Sequence, residues 1–190
     1  IPDYEIPDSW MDTFMASLES EPSGALLSSF DNLVTQKNSR SFITKSRKGL
    51  DKLSPLSAEK LALLLCSRGN SFPRGSAFIE WDSAFTGAAI LISELVKRVP
   101  ESDQRMQIAG SIVSLARPLA FSAECFRWLR TSPDEEDRLL SSDQEDQLGS
   151  QLAARIEKEN EGNPIYLQHG DGTPSLVYVW NKWGNSRKLT

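Results

Sequence analysis

The sequence is 190 residues long and holds one histidine, two cysteines and no Gly-Lys dipeptide. Without Gly-Lys there is no G-x-x-x-x-G-K-[ST] loop to cradle a phosphate on backbone N–H groups. So few histidines and cysteines argue against a zinc cage built from those ligands, and they leave a histidine triad one possible centre, His169. No G-x-S-x-G nucleophile elbow occurs. The chain has no apolar run approaching the roughly 20 residues that span a bilayer. Its opening, Ile1-Pro2-Asp3-Tyr4, lacks the basic and apolar regions of a signal peptide. A formal net charge of -5 argues against a protein whose main work is coating nucleic acid, because phosphate neutralisation needs a basic surface.

What is present is an ordinary globular balance, 39% hydrophobic and 25% charged, in a chain long enough to bury a core. Cys66 and Cys125 each sit in an apolar helical context, which predicts reduced, buried thiols and a cytoplasmic location. Ile1 stands where a methionine would open a complete chain, so residues 1–190 are expected to be one helical domain taken from a longer polypeptide. A sub-division could fall near 70–80, where Phe72-Pro73 marks a loop.

Helix start and stop signals follow one another closely. Asp8 reads as the cap of a first helix with Trp10, Met11, Phe14, Met15 and Leu18 on its apolar face. A second stripe runs Leu26, Leu27, Phe30, Leu33 and Val34. A third and weaker one runs Phe42, Ile43, Leu50 and Leu53, with Gly49 inside it. Ser57 is predicted to cap the helix of Leu61, Leu64 and Leu65, with Gly69 just past its end. Asp82 or Ser83 opens the long stripe Phe85, Ala89, Ile92, Leu95, Val96 and Val99. Ser102 starts the next, with Met106, Ala109, Ile112 and Val113. Pro118 predicts a kink or break before Leu119, Phe121, Cys125, Phe126 and Leu129. Ser132-Pro133 starts a short acidic turn or helix, and Ser142 with Glu145 forms a capping box ahead of Leu148, Leu152 and Ile156.

The last segment has two readings. Leu176, Tyr178 and Trp180 interleave with Val177 and Val179, and Asp171-Gly172 could turn a small hairpin back to Ile165-Tyr166-Leu167. Leu176, Val179, Trp180 and Trp183 also share a helical face, with Thr173 as cap, Pro174 first in the helix and Gly184 as terminator. The helix is favoured. The expected fold is all-α, an irregular bundle or stack of helical pairs with about eight to ten short helices. No fixed repeat period stands out.

Four groups of residues could carry chemistry. Segment 37–52 is basic, and Arg40, Lys45, Arg47, Lys48 and Lys52 are candidate contacts for nucleic acid, another polyanion or an acidic partner. The plainer reading is the solvated face of the third helix, with long side chains lying over the core. Trp180 and Trp183 are candidate aromatic contacts for a partner, against a plainer place in the core. His169 beside Asp171 and the acidic run from Asp134 to Asp137 read as a tight turn and as helix-start charges. Glu80 and Asp82 flank Trp81 but point apart on a helix, so Asp82 reads as a cap and not as one of an acid pair. No catalytic, cofactor-binding or metal-ligating residue is expected in this chain.

The order of features carries a family resemblance. Trp10 opens the chain's first helix, and Leu61-Ala62-Leu63-Leu64-Leu65 leads into Arg68-Gly69-Asn70 and Pro73-Arg74. An apolar helix with Ala88 to Leu95 closes on Arg98-Val99-Pro100-Glu101, and the end reads Trp180-Asn181-Lys182-Trp183-Gly184. Together these resemble the helical region C-terminal to the nucleotide-binding core of KAP-type P-loop NTPases. The resemblance implies a non-catalytic interaction or regulatory module of a larger prokaryotic ATPase, with some members of the family acting in phage defence. The implied partner is a protein or the remainder of its own chain, and no catalytic residue of the family can be carried over.

Overall fold

The computed structural model of the chain describes residues 4–74, 83–130, 138–159 and 174–184. These residues form nine α-helices and no strand. The helices are α1 (Asp8–Ser20), α2 (Ser23–Leu33), α3 (Ser39–Lys48), α4 (Pro55–Cys66), α5 (Ala84–Lys97), α6 (Ser102–Leu115), α7 (Leu119–Arg130), α8 (Ser142–Glu159) and α9 (Pro174–Val179). Short 3-10 turns at Leu50–Lys52 and Gly69–Ser71 follow α3 and α4, and a π-helical turn, Trp180–Gly184, continues α9. The all-α expectation holds. The alternative hairpin does not, because its second arm, from Leu176 to Trp180, is wound into α9 and the π turn. Its first arm, Ile165 to Leu167, lies outside the described residues, as do Thr173, Asp82 and Ser132-Pro133.

Side chains buried by all nine helices join in one connected core, from Ile6 to Trp183. Its backbone is a file of phenylalanines. Phe14 meets Phe42 at 5.8 Å, Phe42 meets Phe30 at 5.3 Å, and Phe30 meets Phe72 at 6.3 Å between ring centroids. Phe72 then stacks on Phe121 at 6.3 Å, and Phe121 takes the edge of Phe85 at 5.2 Å. Each such pair adds about 0.5–1.5 kcal/mol beyond the area it buries. The proline beside Phe72 predicts a loop, yet Phe72 is the ring that joins α2 to α7. Across segment 70–80, where a sub-division could fall, α4 packs directly on α5.

Several boundaries differ from the sequence expectation, each for a local reason. Asp8 is the first residue of α1 and caps nothing, since its carboxylate is taken by Lys45. Trp10 turns outward and is 60% exposed, leaving Met11, Phe14 and Leu18 as the buried face of α1. Gly49 lies just past the last residue of α3 and ends that helix. Pro55 at the first position needs no N–H partner, so α4 starts early and Ser54, not Ser57, is the cap. The Ser54 hydroxyl accepts the Ser57 N–H at 3.1 Å.

The capping box of α8 is shifted by one residue. The Gln144 N–H donates to Ser141 Oγ at 3.2 Å, and the Ser141 N–H donates back to Gln144 Oε1 at 2.9 Å. Ser83 caps α5 as expected, accepting the Thr86 N–H at 3.1 Å. Pro118 separates α6 from α7, and the carbonyls left at the end of α6 are collected from two sides. The Ser122 hydroxyl donates to Ile112 and Val113, and Arg155 of α8 donates to the carbonyls of Val113 and Ala116 at 3.0 and 2.7 Å. Gly69 permits this junction to close, because a Cβ there would stand 2.2 Å from the Arg117 carbonyl oxygen.

Candidate functional site

A second stripe of α1 borders the buried face and shares Met11 with it. Asp8, Met11, Asp12, Met15, Ala16 and Glu19 recur every three or four positions, so they share one helix face. Opposite them stand Lys45 and Lys48 of α3 and Lys52 of the following 3-10 turn, with Leu53 and Ser57 at the far end. Between these two rows lies an open groove of about 870 Å³. Its floor is apolar (Met11, Met15 and Leu53), and its walls carry opposite charge. Unbranched methionine side chains adapt their shape to what packs on them.

The walls touch at one end only. Lys45 Nζ donates to Asp8 Oδ1 and to the Ile6 carbonyl, each at 2.6 Å, and lies 3.6 Å from Glu5 Oε2. The hydrogen bond from Lys45, with its charge, holds the Asp8 carboxyl below its usual value, and the same bond raises the Lys45 ammonium. Farther along, the rows stay apart. Among the described residues Asp12, Lys48 and Lys52 have no ion-pair or hydrogen-bond partner. The Glu19 carboxylate accepts a long contact, 3.4 Å, from the Ser57 hydroxyl, and the Glu19 carbonyl accepts another, 3.4 Å, from the Lys60 ammonium.

The basic segment is therefore divided. Lys45, Lys48 and Lys52 line the groove. Arg47 reaches toward α5 instead, where its guanidinium grips both oxygens of Glu94 at 2.7 and 3.2 Å. Arg40 is exposed on that same side, in a second cavity of about 550 Å³ with Thr44, Ser83, Gly87 and Ile90, whose lining Lys45 and Lys48 share. Asp51 on the 3-10 turn accepts from Arg98, just beyond α5, at 2.5 Å. The acidic wall of the groove went unread in the sequence. Its signal was there, in carboxylates at 8, 12 and 19 with the spacing of one helix face.

Trp180 and Trp183 are interior residues, 8% and 6% exposed, and so present no outer aromatic surface. Trp183 packs on Phe126 at 5.5 Å and on Tyr178 at 6.0 Å, and its indole N–H donates to Asp146 at 3.1 Å. The Arg130 guanidinium lies 4.3 Å from the Tyr178 ring centre and 5.2 Å from that of Phe126. Glu145, released from capping, sits 3.7 Å from both Arg130 and Lys182. A buried carboxylate, Glu124 at 5% exposure, accepts from Ser175 at 2.5 Å and from the Trp128 indole at 3.1 Å. These contacts fasten α9 and its π turn to α7 and α8.

The two thiols are buried and free of disulfide. Burial pushes Cys66 up to about 12, and burial, with Cys66 and Glu124 nearby, pushes Cys125 well above its usual value. Neither is a thiolate nucleophile at neutral pH. Among the described residues no three His, Cys, Asp or Glu side chains gather as a metal cage would require. No described helix is long and apolar enough to cross a membrane. His169 with Asp171, the run 134–137, and Glu80 with Asp82 lie outside the described residues. The chain matches no family model, no curated protein and no solved structure.

Proposed function

We propose that this chain is a non-catalytic protein-interaction module that docks a segment of a protein partner in the groove between α1 and α3. The observation that supports it is the groove's composition: an adaptable methionine floor between walls of opposite charge. A site for a small molecule would enclose its ligand with a few convergent polar groups, whereas this one is open and lined by charges of both signs. In the wider protein implied by the resemblance to KAP-type NTPases, such a module would couple partner binding to a separate nucleotide-binding core in the cytoplasm.

Selection from a displayed random-peptide library tests the reading. Ala16 is exposed on the groove wall, so Ala16→Arg obstructs the groove and leaves the core intact. Peptides enriched on the native chain are expected to lose binding to Ala16→Arg while the variant's melting temperature stays unchanged. Binding that survives the obstruction overturns the docking site. The pure chain is also expected to neither bind nor hydrolyse ATP in calorimetry and phosphate-release assays. Measurable turnover would end the non-catalytic reading.

A further inference from the structure

We propose that the occupant of the α1–α3 groove is an amphipathic helix with flanks of opposite charge, its basic flank beside α1 and its acidic flank beside α3. This rests on the docking reading above and names the chemistry of the partner. The groove is a ladder of opposed charges: Asp8 faces Lys45 at one end, and Asp12 and Glu19 on α1 stand across from Lys48 and Lys52. Only the first rung is closed, by the 2.6 Å contact of Lys45 with Asp8. The other charges face each other across the cavity without an ion-pair partner, and an inserted helix carrying Lys or Arg on one side and Asp or Glu on the other would supply both.

The floor sets the occupant's third face. Met11 and Met15 lie four residues apart on α1, with Leu53 opposite, which suits an apolar seam at i, i+3 and i+4 spacing. A helix is about 10–12 Å across with its side chains and lies lengthwise between two others as in ordinary helix packing. Occupants of one sign fail on one wall. A nucleic acid or an acidic peptide meets Asp12 and Glu19, and a basic peptide meets Lys48 and Lys52. Opposed like charges lower affinity and on-rate, so the walls select against both.

Three helical peptides about four turns long, with the same Leu/Met seam, make the test, read by fluorescence anisotropy. One carries Lys on one flank and Glu on the other; the second carries Lys on both; the third carries Glu on both. The mixed peptide is expected to bind at least about tenfold tighter than either of the others. Asp12→Lys with Glu19→Lys is expected to move the preference to the all-Glu peptide, and Lys48→Glu with Lys52→Glu to the all-Lys peptide. All four side chains are exposed, so both double variants keep the core. Circular dichroism melts verify that they do. Equal binding of the three peptides, still abolished by Ala16→Arg, overturns the charge pattern and leaves the docking site standing. A preference of the native chain for the all-Glu peptide overturns the pattern in favour of a polyanion site. Tight binding of the mixed peptide that Ala16→Arg does not weaken overturns both readings.

Discussion

Gly149 of α8 lies directly beneath the indole of Trp183, so close that a Cβ there would stand 2.3 Å from two ring atoms. Two opposing effects meet at this position. Alanine in place of glycine inside a helix gains about 1 kcal/mol of propensity, while forcing an atom into a packed core costs about 1–3 kcal/mol or more. The indole is 6% exposed and held by its bond to Asp146, so it has little room to retreat. Gly149→Ala is expected to destabilise the fold by about 2 kcal/mol in urea unfolding. Gly110 in α6, with open space where its Cβ would go, supplies the contrast: Gly110→Ala should stabilise by about 0.4–1 kcal/mol. A stabilised Gly149→Ala would contradict the docking of the π turn on α8.

The link between Lys45 and Asp8 predicts a pH window. Asp8 is held below its ordinary value of 3.8, so its stabilising share is complete above that value and is lost as pH falls through the lower folded one. Lys45 is raised above 10.5, so its share is complete below that value and is lost as pH climbs through the higher folded one. Carbon-detected NMR titration of Asp8 should show the depressed midpoint in the native chain and a return toward 3.8 in Lys45→Met. An unchanged midpoint in that variant would remove the bond from the groove.

The register of the α8 cap can be read by two serine variants. Ser141→Ala removes the hydroxyl that accepts from Gln144 and should cost about 1 kcal/mol. Ser142→Ala, one residue later at an exposed first helical position, should stay within about 0.5 kcal/mol of the native chain. The reverse order in thermal or urea unfolding would return the capping box to Ser142 and Glu145.

Cys66 and Cys125 should resist an aromatic disulfide reagent at about pH 8, since burial keeps both protonated and shielded. In denaturant both should react at once, giving two equivalents of released thiolate. Rapid labelling of the native chain would mean that α4 or α7 opens far below the global unfolding free energy.

The fold was open to sequence reasoning wherever apolar spacing and local chain chemistry pointed the same way. The stripes of α5 and α8, with buried Ile92, Leu95, Leu148 and Leu152, are of this kind. Cap registers were harder, because Ser54 and Ser57, or Ser141 and Ser142, offer nearly the same hydroxyl one turn or one residue apart. Tertiary neighbours decided between them: the start at Pro55 leaves Ser57 buried against Glu19, and Glu145 is drawn to Arg130 and Lys182. Trp10 misled for the converse reason, since its spacing fits the apolar face of α1 while its side chain meets no neighbour that buries it. Half of the candidate site was visible as a basic run. The other half was not, because the carboxylates that face it come from a helix about thirty residues upstream, and only the packing of α1 along α3 brings them together.

Arg47 holding Glu94 and Arg98 holding Asp51 moor the third helix and the turn after it to the fifth at two separate points. The row of ammonium groups is thereby tied to the body of the molecule. For the docking proposed above, one bank of the channel would thus be set in place before a guest arrives, which would lower the entropic penalty of its arrival.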